Sequence, residues 1–235
     1  KFQRHPYEPC YLYESGIRPL EQYPVRGVIW YQGESNAHNC EVHEKLFKLL
    51  VGSWRKNWKN EDLPFYYVQL SSIARPSWPW FRDSQRRMMA EIPNTGMAVS
   101  SDYGDSLDVH PRNKKPVGER LARWALNKTY GYTFLVPSGP LFRKAEFRDW
   151  EVLITFDYGE GMRSSDNGPI RAFEVAEVEG LYPATAEVLE DGLMRVSCEF
   201  VKSPRYVRYG WRPYSNGNLV NRENLPASTF RVGIP

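Results

Sequence analysis

Residues 25–31 read VRGVIWY, a short apolar run closed off by Pro24 on one side and Gly33 on the other. That is the pattern of a buried strand. The polar residues 32–37, QGESNA, follow without a break. From His43 to Trp58, the apolar side chains Leu46, Phe47, Leu49, Leu50, Trp54 and Trp58 recur at helical spacing. This predicts an amphipathic helix with Lys45, Lys48, Arg55 and Lys56 mostly turned outward. The alternation continues downstream. Residues 65–70 (FYYVQL) and 95–101 (TGMAVSS) read as strands. Residues 83–92 and 116–130 read as helices, the last with Pro116 near its start. Strand and helix alternating three times predict a parallel sheet with helices on both faces, because parallel strands need a crossover between them.

The character changes at residues 137–140, PSGP. Beyond them come short strand-like runs at residues 150–156, 171–178, 186–189, 194–200 and 206–208, separated by turn residues. No helical pattern interrupts them. The expected fold class is therefore α/β: a parallel-sheet unit in residues 1–136, then a small β-rich, sandwich-like unit in residues 137–235.

Composition narrows the function. In 235 residues, 31 basic and 28 acidic side chains leave a net charge of +3, too balanced and scattered for a nucleic-acid footprint. Hydrophobic residues are 41% and charged residues 25%, which suits a chain with a core and excludes wholesale disorder. No apolar window is long enough to span a membrane. The 8 Trp, 15 Tyr and 11 Phe suit both a core and a sugar-binding surface. Cys10, Cys40 and Cys198 have no metal-site spacing and allow at most one disulfide. No cofactor or metal is expected. The chain begins at Lys1 rather than Met, which reads as a processed chain or a piece of a longer one.

In an open parallel sheet, ligands bind beyond the carboxyl ends of the strands. Two loops lie there: residues 32–37 and residues 102–111 (DYGDSLDVHP). Asp108 and His110 are two apart, so in extended backbone they project to the same side. A carboxylate there can fix the imidazole tautomer and leave the other nitrogen free as a base. Gln32 offers an amide donor for an oxyanion, and Glu34 a carboxylate partner. Ser35 sits in a G-x-S-x-A segment like a nucleophile elbow, but the helical pattern starts too late for one. Ser106 lies in a literal GDSL string, four residues before His110 on the same loop, where chance explains it better. His38 and His43 flank a helix start and read as surface residues, and His5 as part of a frayed start. Trp78-Pro79-Trp80 suits either a sugar face or loop filling. Tyr206, Tyr209, Trp211, Arg208 and Arg212 form an aromatic-basic cluster whose default role is packing on the β unit.

Longer strings say more than these pieces. Residues 28–37, VIWYQGESNA, are similar to the WYQGESNA segment of the sialate O-acetylesterase family. Residues 108–114 (DVHPRNK) and 117–122 (VGERLA) resemble its D-I-H-P-x-N-K and VG-x-RLA segments. Residues 62–66 (DLPFY), 207–211 (VRYGW) and 224–228 (NLPAS) extend the likeness from about Tyr11 nearly to the end. The resemblance implies a partial flavodoxin-like domain of the SGNH hydrolase superfamily. It implies removal of acetyl groups from sugar hydroxyls, typically on sialic acid, by a serine nucleophile. His110 is then the base, Asp108 the leading candidate for the orienting acid with Glu34 and Asp105 still open, and Gln32 an oxyanion donor. The family's G-Q-S-N-M-like nucleophile segment has no counterpart here, so the serine is expected upstream of Lys1 and the isolated chain is expected to be weak or inactive. A sheet without its first strands exposes an edge, so self-association is expected too. The family implies a secreted, periplasmic or lysosomal setting. Two other readings remain: an esterase for acetylated plant polysaccharide such as acetylxylan, and a non-catalytic carbohydrate-binding fragment carried by the β unit.

Overall fold

A computed structural model describes residue 5 and residues 7–234. Residues 1–4, 6 and 235, at the ends of the two expected units, lie outside the described residues. The first half alternates β1 (Val28–Trp30), α1 (Cys40–Asn57), β2 (Phe65–Gln69), α2 (Trp78–Glu91), β3 (Thr95–Val99) and α3 (Lys115–Trp124). The strands form one parallel sheet in the order β1-β2-β3. β1 is shorter than its apolar run. Among the described residues it pairs only with β2, and Ile29 on this edge is 69% exposed. α2 begins five residues before the expected helix, because Pro79 sits in its first turn, where a missing N–H costs nothing. α3 stops at Trp124 and gives way to a π-helical turn over Ala125–Thr129.

The helices cover both faces, as alternate side chains of β2 show. Tyr66 stacks on Trp124 of α3. Its neighbours point the other way: Phe65 meets Trp54 and Tyr67 meets Phe47, both on α1, while the Tyr67 hydroxyl donates to the Gln85 carbonyl of α2. Gly96 on β3 is required here, since a Cβ would lie 2.4 Å from the Trp124 indole.

The second half is all β. β4 (Leu141–Arg148), β5 (Glu151–Asp157), β9 (Thr185–Glu190) and β10 (Leu193–Ser197) form a sheet in the order β4-β5-β10-β9. β7 (Phe173–Ala176), β8 (Tyr182–Pro183), β11 (Tyr206–Tyr209) and β13 (Phe230–Gly233) form another, in the order β13-β11-β7-β8. A short pair joins β6 (Arg163–Ser164) to β12 (Leu219–Val220). The two large sheets share one core of Val152, Ile154, Met194 and Val196 against Phe173, Val175, Val207 and Phe230. This is a sandwich. β4 carries Arg143, Lys144, Glu146 and Arg148, whose charges mask its alternation in the sequence.

The halves meet at Arg82 of α2. Its side chain is fully buried with no carboxylate bonded to it. The guanidinium donates to Ser72 Oγ (3.1 Å) and to the carbonyls of Gly210 (2.8 Å), Arg212 (2.6 Å) and Pro213 (3.1 Å). Burial pulls its pKa down to about 9, which still leaves it charged at neutral pH. Beside it, Arg231 of β13 lies 3.9 Å over the Trp80 ring. The aromatic-basic cluster therefore packs against α2 and not on the β unit alone. Replacing Arg82 with Met removes four hydrogen bonds at the junction, although Thr229 Oγ1 and Ile73 N still serve the Gly210 and Pro213 carbonyls, and should cost about 2–4 kcal/mol in urea unfolding. A loss below about 1 kcal/mol would show that the junction does not depend on this cation.

Candidate active site

Three connections converge beyond the carboxyl ends of the parallel strands. Ala37 from the loop after β1, Leu70 and Ile73 from the segment after β2, and Trp78 and Phe81 from α2 form a small apolar cluster. Tyr31, Cys40 and Val109 pack against it. Val109 stands between Asp108 and His110, so this cluster seats both chemistry-bearing loops together.

The loop after β1 is shaped by Gly33. Its φ is +149°, and a Cβ would lie 2.6 Å from the Phe81 ring. Glu34–Asn36 then make one 3-10 turn. Gln32 Nε2 donates to Asn36 Oδ1 at 2.6 Å, leaving its second amide N–H uncommitted to that bond. Ser35 is exposed on the turn, and α1 starts only at Cys40, capped by Asn39 Oδ1 accepting from Val42 N.

The loop after β3 is tied down at several points. Asp102 forms a bidentate pair with Arg120 of α3 (2.7 and 2.6 Å), and Arg120 also donates to the Val99 carbonyl. Gly104 lies against the Ser72 backbone, where a Cβ would come within 2.1 Å of a carbonyl oxygen. The Ser106 carbonyl accepts from Ala74 N at 3.2 Å. Asp105 Oδ1 accepts from Leu107 N (2.8 Å) and Asp108 N (3.2 Å), and these N–H groups hold its carboxyl below the usual range. Asp108 Oδ1 accepts from His110 N at 2.8 Å. The same oxygen lies 3.7 Å from His110 Nδ1, an ion-pair distance rather than a hydrogen bond. The His110 side chain is 83% exposed.

Comparison with known proteins shows the family. Residues 5–127 match the model of the family "Carbohydrate esterase, sialic acid-specific acetylesterase". The chain belongs to this acetylesterase family. Sialate O-acetylesterases from Rattus norvegicus and Homo sapiens are similar to it. The first is 31% identical over 189 residues, covering 70% of this chain and 34% of the relative. The second is 32% identical over 169 residues, covering 63% and 32%. The chain thus spans about a third of the length of these curated relatives. The crystal structure of a carbohydrate acetylesterase from Xanthomonas citri matches with a TM-score of 0.87 at 37% identity, covering 94% of this chain and 53% of that one.

Sequence reasoning missed the polar residues that hold the acetylesterase loops. Tyr31 adjoins the connections: it packs on the apolar cluster, its hydroxyl lies near Ser100 after β3 and Ser71 after β2, and it accepts from Lys114 Nζ at 3.4 Å. Burial, more than the nearby Glu34 charge, raises its pKa. Ser71 and Ser100 are themselves buried. The signal was present, since both serines directly follow strands, but small polar residues are common there. Cys10, Cys40 and Cys198 are free thiols. Among the described residues, no helix is long and apolar enough to cross a membrane. A separate cavity of about 550 Å³, lined by Val25, Pro64 and Thr95, lies at the amino ends of the strands and away from these loops.

His43 is not a surface residue. It is buried on α1 with its ring 4.5 Å from Phe81 of the apolar cluster beneath the two loops, while His38 is exposed. The helix turns His43 inward together with Phe47 and Val51, a period the polarity of histidine disguised. Burial lowers its pKa below the usual ~6.5. Above that value the unfolded and folded forms are both neutral and stability is undiminished. As pH falls below it, the unfolded chain takes up a proton that the folded chain resists, so stability declines. Melting measured between pH 7.5 and 5 should therefore drop less for His43→Phe than for the unaltered chain. An equal drop would assign the acid sensitivity elsewhere.

Proposed function

We propose that this chain carries the base and oxyanion half of a serine O-acetylesterase acting on acetylated sugars, sialic acid foremost. The observation that carries the reading is the Asp108–His110 pair, held open to solvent on a loop that shares its apolar seat with the Gln32 loop. Family membership and the likeness to a carbohydrate acetylesterase support it.

In this reading, a serine hydroxyl attacks the acetyl carbonyl while His110 Nε2 takes its proton. Asp108 faces Nδ1, and a small side-chain rotation turns 3.7 Å into a hydrogen bond that fixes the tautomer and steadies the imidazolium. The free N–H of the Gln32 amide donates to the oxyanion. Collapse of the intermediate expels the sugar hydroxyl, which receives the proton from His110. Water, activated by the same imidazole, then cleaves the acetyl-enzyme and releases acetate. Asp108 suits the orienting role better than Asp105, whose carboxylate is turned to backbone N–H groups of its own loop.

Among the described residues, no serine hydroxyl is hydrogen-bonded to the His110 imidazole. Ser106 is exposed and Ser35 stands on the other loop. The nucleophile in this reading comes from polypeptide outside these residues, and the free edge of β1, with Ile29 exposed, offers such a segment a strand to pair with.

The test is a fluorophosphonate label and an aryl acetate assay on two proteins, this chain and one extended to the relatives' full length. The extended protein should label at an added serine. There, His110→Ala should lower kcat by about a thousandfold or more and Gln32→Ala by about a hundredfold. A His110-dependent adduct on Ser35 or Ser106 of this chain would place the nucleophile here instead. Turnover indifferent to His110 would overturn the reading.

A further inference from the structure

The WPW segment divides its two indoles between different roles. Trp78 is 2% exposed and donates Nε1–H to the Ser71 carbonyl, so it belongs to the core. Trp80, two residues on, is 49% exposed. Its ring is held from the sandwich side: the Arg231 guanidinium lies 3.9 Å over it, and Trp211 meets it edge to face at 5.2 Å. With one face taken, the exposed part of the indole forms a wall of an open cavity of about 670 Å³. This cavity lies between the starts of α1 and α2 and is lined next by Ala37, which also belongs to the apolar seat of the catalytic loops.

We propose that this cavity is a sugar subsite beside the acyl site, with Trp80 as its stacking platform and a neutral monosaccharide unit as its occupant. A rigid indole offers a flat apolar surface to the C–H face of a pyranose, and its fixed orientation reduces the entropy lost on binding. Ser77, Asn39 and His38 stand around it as hydrogen-bonding groups for the ring hydroxyls. The charges favour a neutral unit. Glu41 and Glu44 outnumber Arg87 on the lining. Arg87 is already engaged, 2.8 Å from Glu44 Oε1 and 3.6 Å from Asp83 Oδ2, so it is not free to receive a carboxylate. Glu44 takes a further hydrogen bond from Ser84 Oγ. An acidic sugar placed here would meet net negative charge, so the subsite takes a neutral neighbour of the acetylated residue in a longer glycan.

The binding claim is independent of esterase turnover, although calling the cavity a subsite rests on the proposed acyl chemistry next to it. Xylotetraose as the neutral probe and α2,8-linked trisialic acid, in which every unit is charged, as the anionic one are titrated into the chain by calorimetry and by amide chemical-shift mapping. Xylotetraose should bind and shift residues 37–44 and 77–80. Trp80→Ala should weaken it about tenfold or more, and Trp80→Phe, which keeps a flat ring, by a few-fold. Trp150→Ala, on the exposed indole of the sandwich, should leave binding unchanged. Trisialic acid should bind about tenfold more weakly than xylotetraose. The shift map comes from the unaltered protein, so it stands even if Trp80→Ala disturbs the packing on Arg231. No xylotetraose binding, shifts confined to the sandwich, or binding lost with Trp150 would overturn the site. Tighter binding of trisialic acid would overturn the neutral occupant. Glycan binding dependent on Trp80 in a protein whose turnover ignores His110 would refute the esterase reading and keep the cavity as a sugar site.

Discussion

The buried Arg82 cation is the polar centre of the junction between the two halves. Arg82 rises from α2 into a ring of oxygen acceptors supplied by Ser72 and by the Gly210, Arg212 and Pro213 carbonyls. A buried charge without a carboxylate is costly unless strong dipoles replace water, and carbonyl oxygens do so here. The consequence reaches past the junction. Ser72 Oγ also accepts from Ser215 N, and Ile73 N donates to the Pro213 carbonyl. The segment after β2 is thereby fixed to the sandwich, and it forms the floor on which Gly104 and Ser106 rest. The sandwich therefore acts on the position of the His110 loop without contributing a reacting group.

That floor lets an exposed histidine be a well-placed one. His110 has few neighbours of its own, but its loop is tied at Asp102 by Arg120, at Ser106 by Ala74 and at Val109 by apolar packing. Between these ties, Asp105 and Asp108 turn their carboxylates to local N–H groups and set the loop's curvature. The imidazole is thus presented by a constrained backbone rather than by a pocket.

Specificity is then a matter of what borders the loops. The Trp80 cavity shares Ala37 with the apolar seat under Val109, so Trp80 and the His110 loop stand on one support. Arg231 links the platform back to the sandwich. α2 therefore carries the junction cation, the buried Trp78 and the exposed Trp80 within its first turns, and its placement sets the relation between the layers and the site.

The sequence by itself determined the parallel sheet, its two polar loops and the pairing of Asp108 with His110. These are local signals: apolar runs, helical spacing and two residues on one extended segment. It also pointed to the family, through strings long enough to exclude chance. Only the tertiary structure decided the rest, because the deciding contacts join residues far apart in the chain. Nothing local marks Arg82, one residue before the expected helix, until carbonyls nearly 130 residues later close around it. His43 reads as polar surface until Phe81 covers it. Trp78 and Trp80 are equivalent in sequence, and only packing buried one and opened the other. Charge and polarity predict exposure on average, but each of these side chains was placed by long-range neighbours that local pattern does not encode.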